Sequence, residues 1–170
     1  MQNFAVYINP EFSDKKSIYN LLEKLRNDSD INFFSIESIP DLPKELFKPL
    51  PKPANSKHID CILVFGGDGT ILKAKDLALL TGAPILGINL GYLGFLSESV
   101  LFEIASSIEN LKQGKYRLLH RMLIECHLKR EGKIIYEALA LNDAVIHKAE
   151  SPGLIHIRIK ASGRYVFDTR

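Results

Sequence analysis

The chain has little of what would mark several classes of protein. Only two of its 170 residues are cysteine. No C-x-x-C or His/Cys cluster with zinc spacing occurs, and both Cys61 and Cys126 sit inside strand-like apolar runs. That usage suits reduced thiols in a core better than a disulfide framework. The five histidines are widely spaced and suggest no metal role. Net charge is small as well: 22 Lys plus Arg against 20 Asp plus Glu leave +2, too little to argue for a nucleic-acid or polybasic membrane partner. Any anion binding must therefore be local. No apolar run reaches the roughly 18 residues needed to span a bilayer. The N-terminus, MQNFAVYINPEF, lacks a basic segment followed by an apolar one, so the expected location is the cytoplasm. The phosphate loop G-x-x-x-x-G-K-S/T is also missing.

What is present is an ordinary globular composition, 46% hydrophobic and 25% charged, over a length that suits one good core or two small domains. One stretch organises it. Cys61–Thr70, CILVFGGDGT, joins a fully apolar strand to a glycine hinge, a carboxylate and a helix start. Around it, Phe4–Ile8 reads as a central first strand ended by Asn9-Pro10. Ser13 or Asp14 can cap a helix whose Ile18, Leu21, Leu22 and Leu25 share one face, ending near Asn27. Ile31–Ile36 follows as a second strand, completing a β-α-β unit with a parallel crossover. Residues 40–57 carry five prolines, four lysines and no period, which predicts an exposed loop.

Ile71, Leu72, Ala74, Leu77, Ala78 and Leu80 continue as a helix that Thr81-Gly82 stops. Pro84–Ile88 is a further buried strand, giving a four-stranded parallel sheet. A loop with two glycines between large apolar groups follows, from Asn89 to Leu96. Ser99 can cap a helix that turns Leu101, Ile104, Ala105, Ile108 and Leu111 inward, with Gly114 closing it. From Tyr116 the texture changes. Tyr116–Lys129, Lys133–Lys148, Leu154–Lys160 and Arg164–Thr169 are β-rich, separated by Glu131-Gly132, Ser151-Pro152-Gly153 and Ser162-Gly163. The expected organisation is an α/β nucleotide-binding domain over 1–113 with a mostly parallel sheet. The beginning of an all-β sandwich domain follows over 114–170, incomplete at its C-terminus because a sheet stopping there leaves an edge unpaired.

Gly66 and Gly67 permit backbone angles closed to other residues, so their N–H groups can converge in an oxyanion cradle. The helix that follows adds positive potential at its N-terminus. A carboxylate there is awkward unless it holds a metal ion or takes the proton of an attacking hydroxyl, which makes Asp68 a base or a metal anchor. Lys73, about one and a half turns on, can return positive charge toward phosphates, or can simply be a solvated helix residue. Spacing alone leaves a second reading of the turn open, in which Asp68 or Thr70 caps the helix and the glycines only bend the chain. Asn142-Asp143 interrupts the β pattern ALALNDAVIHK. A bulge would let both side chains meet one ligand; an Asx turn between strands is the plainer account. Tyr92 and Phe95 read as core or cover, or as a surface for a base.

Taken in order, GGDGT at 66–70 with Ile71-Leu72-Lys73-Ala74, GINLGYLGFL at 87–96 and LND at 141–143 closely resemble the NAD kinase family. GGDGT alone is shared with lipid kinases of the diacylglycerol and sphingosine type, and those enzymes are the alternative. The two later motifs, and ILKA in place of the lipid kinases' asparagine-containing continuation, favour NAD kinase. The resemblance runs from about Phe4 to the last residue. It implies an α/β domain, a β-sandwich and a crevice between them, within a homo-oligomer, either dimer or tetramer. It implies an enzyme that transfers the γ-phosphoryl of ATP, or of polyphosphate, to the adenosine 2′-hydroxyl of NAD, with Mg²⁺ or another divalent ion bridging the phosphates. Nucleotide contacts are implied for Gly66, Gly67, Gly69, Thr70, Lys73 and Asn89. Asp68 matches the aspartate that contacts the ribose and is taken as general base. Asn142 and Asp143 match a pair that holds NAD, Phe95 an aromatic lining the pocket, and Arg170 an arginine ahead of an Asp-Gly pair. The family continues past that arginine into further NAD contacts, so the 170-residue chain alone is expected to be inactive or nearly so, or a non-catalytic nucleotide-binding fragment.

Overall fold

Five consecutive apolar residues without a polar break predict a strand covered on both faces, and Cys61–Phe65 is that strand. In the computed structural model every one of its residues is buried. The structure describes the whole chain except residues 29, 36–38, 40, 41, 51–57, 91–95, 97, 98, 148–153, 155 and 170. Contacts divide it into two units, Met1–Leu123 and Ile124–Arg170.

The first unit runs β1 (Asn3–Ile8), α1 (Lys15–Asp28), β2 (Asn32–Ser35), β3 (Phe47–Pro49), β4 (Cys61–Phe65), α2 (Asp68–Thr81), β5 (Ile85–Asn89), β6 (Ser99–Val100) and α3 (Ile104–Lys112). Its six strands form one sheet in the order β3-β2-β1-β4-β5-β6, and all the pairings are parallel. This is the α/β class expected, with β1 and β4 side by side at the centre. The order reverses between them, since strands earlier in the chain lie on one side and later ones on the other. That is the switch point of a doubly wound sheet.

Alternation along the central strands separates two cores. Phe4, Val6, Ile8, Cys61, Leu63 and Phe65 point to one face, where Ile18, Leu22 and Leu25 of α1 and Ile104, Ile108 and Leu111 of α3 cover them. Ala5, Ile62 and Val64 point to the other, under Ile71, Ala74 and Leu77 of α2. The outcome is three layers. Asp14 caps α1 by accepting the Ser17 N–H at 3.2 Å and the Ser17 hydroxyl at 2.6 Å. Gly82 at φ 70° and Gly114 at φ 71° end α2 and α3 as expected.

Three details differ from the expectation. Among the described residues the sheet has six strands rather than four, because two short strands join it: Phe47–Pro49 of the proline-rich stretch pairs with β2 in the register Phe33↔Phe47, with Leu42 and Leu46 buried in the first core, and Ser99–Val100 pairs with β5. Local period could not show this, since three residues carry none. Next, Ser99 does not cap α3. It is the first residue of β6, its hydroxyl lies 3.0 Å from that of Ser107, and a 3-10 turn over Leu101–Glu103 leads into the helix. Sheet pairing with β5 holds Ser99 extended, four residues ahead of the position a cap would need.

The last difference is in the second unit, which holds two antiparallel hairpins, β7 (Ile124–Arg130) with β8 (Lys133–Ala140) and β9 (Ile157–Ala161) with β10 (Arg164–Thr169). Their two-residue turns are the expected Glu131-Gly132 and Ser162-Gly163, with positive φ at all four residues, as hairpin twist demands. The β7–β8 ladder begins only at Ile124↔Ala140, so 141–147, and 116–123 at the end of the first unit, are not strand: neither segment pairs in a sheet among the described residues.

The two thiols are free but differ, Cys61 being buried and Cys126 half-buried on β7. Burial pushes the Cys61 thiol up to about 12. At pH 8 a thiol of that kind is roughly 10⁻⁴ ionised. Alkylation of native protein at pH 8 should therefore modify Cys126 at least about a hundredfold faster than Cys61, read by peptide mass analysis, with the two rates converging in denaturant.

Candidate functional site at the carboxyl edge of the sheet

A parallel sheet sends all its strand ends to one edge, and at a switch point the loops leave in opposite directions and open a crevice. Here that point is held by backbone bonds. Asn9, just past β1, donates its N–H to Phe65 O at 2.9 Å, and Gly66, just past β4, donates to Ile88 O at 2.9 Å. The sheet's hydrogen bonding thus extends one residue beyond each of these two strands. The Asn9 side chain closes its own turn by accepting the Glu11 N–H at 3.1 Å.

Gly66 is the bend. Its φ is +158°, and a Cβ there would lie 2.6 Å from Thr70 Cβ and closer still to Thr70 Oγ1. Helix α2 returns so tightly that its first turn occupies the space a side chain would need. Gly67 and Gly69 are different: both are exposed, and apart from their chain neighbours and the helix's own backbone no atom lies within 4 Å of where their Cβ would stand. The expected cradle is corrected in one respect, since the Gly66 N–H is taken by the sheet and faces no ligand. The donors at the helix start belong to Gly67, Asp68 and Gly69, ahead of Thr70 N–H, which bonds Gly67 O at 2.9 Å. Gly66→Ala should accordingly lower the denaturation midpoint, costing about 1–3 kcal/mol of overpacking. Gly67→Ala should leave the midpoint within about 0.5 kcal/mol, as a surface change with allowed backbone angles does. Chemical denaturation of the two variants checks the contrast.

Neither Asp68 nor Thr70 caps α2. The N-cap is Gly67, which supplies no side chain. Asp68 stands in the first helical turn, half-buried, where the helix's positive end favours its charge. One carboxylate oxygen, Oδ1, accepts the backbone N–H of Leu96 at 3.0 Å, across 28 residues of sequence. Thr70 is buried against Gly66, and Lys73 is exposed on α2. Asn89 ends β5 at 4% exposure, next to the Ile88 carbonyl that receives the Gly66 N–H.

Gly66–Thr70 and Asn89 are therefore gathered at one edge, with Leu96 and Asn9 beside them. Asn142 and Asp143 belong to the second unit, past the end of β8, and both are exposed. Phe95 and Arg170 lie outside the described residues. Sequence reasoning treated Asn9-Pro10 as punctuation and Leu96 as the end of a loop. Asn9 was open to inference, since a polar residue closing a central parallel strand shares the edge with the next strand's turn. The Leu96 bond had no sequence signal. Among the described residues no group of three or more His, Cys, Asp or Glu could hold a metal ion.

A doubly wound sheet with a glycine–aspartate turn at its switch point defines an α/β domain of the doubly wound class. Residues 48–116 match the family model described as the ATP-NAD kinase N-terminal domain. The NAD kinase of Desulforamulus reducens is 37% identical over 107 residues, covering 63% of this chain and 37% of that protein. NAD kinase 2 of Gloeobacter violaceus is 43% identical over 103 residues, covering 61% and 33%. In fold, the chain is similar to yeast NADH kinase, solved in complex with NADH, with a TM-score of 0.75 and 24% identity over 99% of this chain and 55% of that one. Over its N-terminal domain the chain is thus similar to NAD kinases. It spans about a third of the length of the curated relatives it matches.

Proposed function

We propose that the protein serves the transfer of the γ-phosphoryl group of ATP, or of the terminal phosphoryl of polyphosphate, to the adenosine 2′-hydroxyl of NAD, giving NADP. The observation that carries the reading is the Asp68 carboxylate, fixed at the start of α2 just beyond the central strand, in a chain whose residues 48–116 match the ATP-NAD kinase N-terminal domain. The bond that forms joins O2′ to phosphorus. The bond that breaks joins that phosphorus to the oxygen leaving with ADP, or with the shortened polyphosphate, and the hydroxyl proton passes to Asp68. A general base in this position contributes about 10²–10⁴ in rate. The N–H groups of Gly67 and Gly69, with the positive end of α2, support phosphate oxygens, and their missing side chains leave the approach open. A divalent ion carried on the phosphates supplies charge neutralisation, with Asp68 as the residue of this edge able to contact it. Asn89, Asn142 and Asp143 are proposed NAD contacts, within a homo-oligomer located in the cytoplasm.

Incubating the protein with Mg²⁺, γ-labelled ATP and NAD, beside a parallel arm with diacylglycerol, tests this. Label in NADP with none in lipid supports the reading. Label in lipid, or neither NAD binding nor transfer, contradicts it.

A further inference from the structure

Asp68 is held from two sides, and the second has no counterpart in the reaction as proposed. The first is its own helix. The second is the Leu96 N–H, 3.0 Å from Oδ1. Leu96 is itself anchored: its partly buried side chain packs on the core that Ile62, Val64, Ile71 and Leu77 build on the α2 face of the sheet. An amide whose own residue is seated on the core under the same helix is a fixed donor. A hydrogen bond from a fixed donor restricts a carboxylate to the rotamers that keep the bond.

We infer that Leu96 is a positioning residue for Asp68: its backbone N–H, set in place by its side chain on the α2-side core, orients the carboxylate that faces the ligand. The inference rests on the proposed role of Asp68 for its functional meaning. The bond itself can be tested without turnover. Its chemistry sets the design. Asparagine keeps an oxygen in the same place and can still accept the Leu96 N–H, whereas alanine cannot. Proline at 96 removes the donor, and alanine at 96 keeps the donor while shortening the anchor.

The experiment is amide hydrogen exchange on the full chain, read at Leu96 and, as an internal reference, along α2. Asp68→Ala should speed exchange at Leu96 by about tenfold or more, since a hydrogen bond to a charged group is lost. Asp68→Asn should leave it within about threefold of the parent, because a neutral acceptor replaces a charged one. Exchange in the second half of α2 should be unchanged in both. Rescue by the isostere separates positioning from a general loosening, which would affect both variants alike. Equal exchange at Leu96 in all three proteins would overturn the inference. So would a loss in Asp68→Asn as large as in Asp68→Ala. For function, NAD titration of Leu96→Pro and Leu96→Ala follows. Weaker binding in both variants, with the larger loss in the proline variant, and no further weakening when Asp68→Ala is added to the proline variant, is expected. Additive losses contradict coupling through this bond. If the exchange pattern holds while NAD does not bind at all, the kinase reading fails and the Leu96 assignment stands.

Discussion

Asp68→Asn should lower the rate of NADP formation by about 10²–10⁴ while changing NAD affinity only a few-fold. The asymmetry follows from what the substitution keeps. Asparagine has the same shape, it can still accept the Leu96 N–H, and it sits in the same first turn of α2. What it cannot do is take a proton from a hydroxyl. The charge lost is one that helix and substrate phosphates pull in opposite directions, so ground-state binding gains about as much from reduced repulsion as it loses in hydrogen bonding. A split of this kind, rate falling with affinity nearly intact, marks a group whose interaction is made in the transition state. Measured kcat and KM for both proteins check it. A variant that keeps turnover within about threefold would remove Asp68 from the base role.

Phe65→Ala should cost about 3–5 kcal/mol, the largest stability effect expected at a single residue of this edge. Phe65 has no solvent exposure, belongs to the core between the sheet and helices α1 and α3, and is the last residue of β4, paired on both sides with Ile8 and Ile88. Removing the ring leaves a cavity that a central parallel strand cannot close by shifting, because it is pinned by neighbours on each side. Domains of this kind have total stabilities of about 5–15 kcal/mol, so the loss is a substantial fraction of the whole. Urea denaturation should show the midpoint falling with an unchanged slope. A change under about 1 kcal/mol would mean that the sheet edge is not held from beneath as described.

Much of this architecture was legible because its signals are local. The five apolar residues of β4, the i, i+3, i+4 spacing of α1, and Gly82 and Gly114 as helix ends each depend on a few neighbouring residues. So do the two hairpin turns, and all of these lay close to their expected places. What escaped depends on partners far away in sequence. The three-residue β3 exists because β2 offers it an edge, and Ser99 is strand rather than cap because β5 is beside it. The extent of β7 is set by where β8 stops, not by its own composition. The same division holds at the site. Gly66 announced a bend, but its N–H was assigned to a ligand when the sheet takes it, since pairing with Ile88 cannot be read from GGDGT. Asp68 was singled out as a carboxylate misplaced in a phosphate cradle. Its contact with Leu96, 28 residues on, required the fold.

The central claim is that NAD is received at the turn beyond β4, and amide chemical-shift perturbation on the labelled protein tests it most directly. Titrated with NAD, the Gly67, Asp68 and Gly69 amides should shift together and saturably, and Gly67→Val, which places a side chain in the open approach, should weaken the titration by about tenfold or more. Saturable binding that leaves those three amides unmoved, or that Gly67→Val does not weaken, would contradict the account.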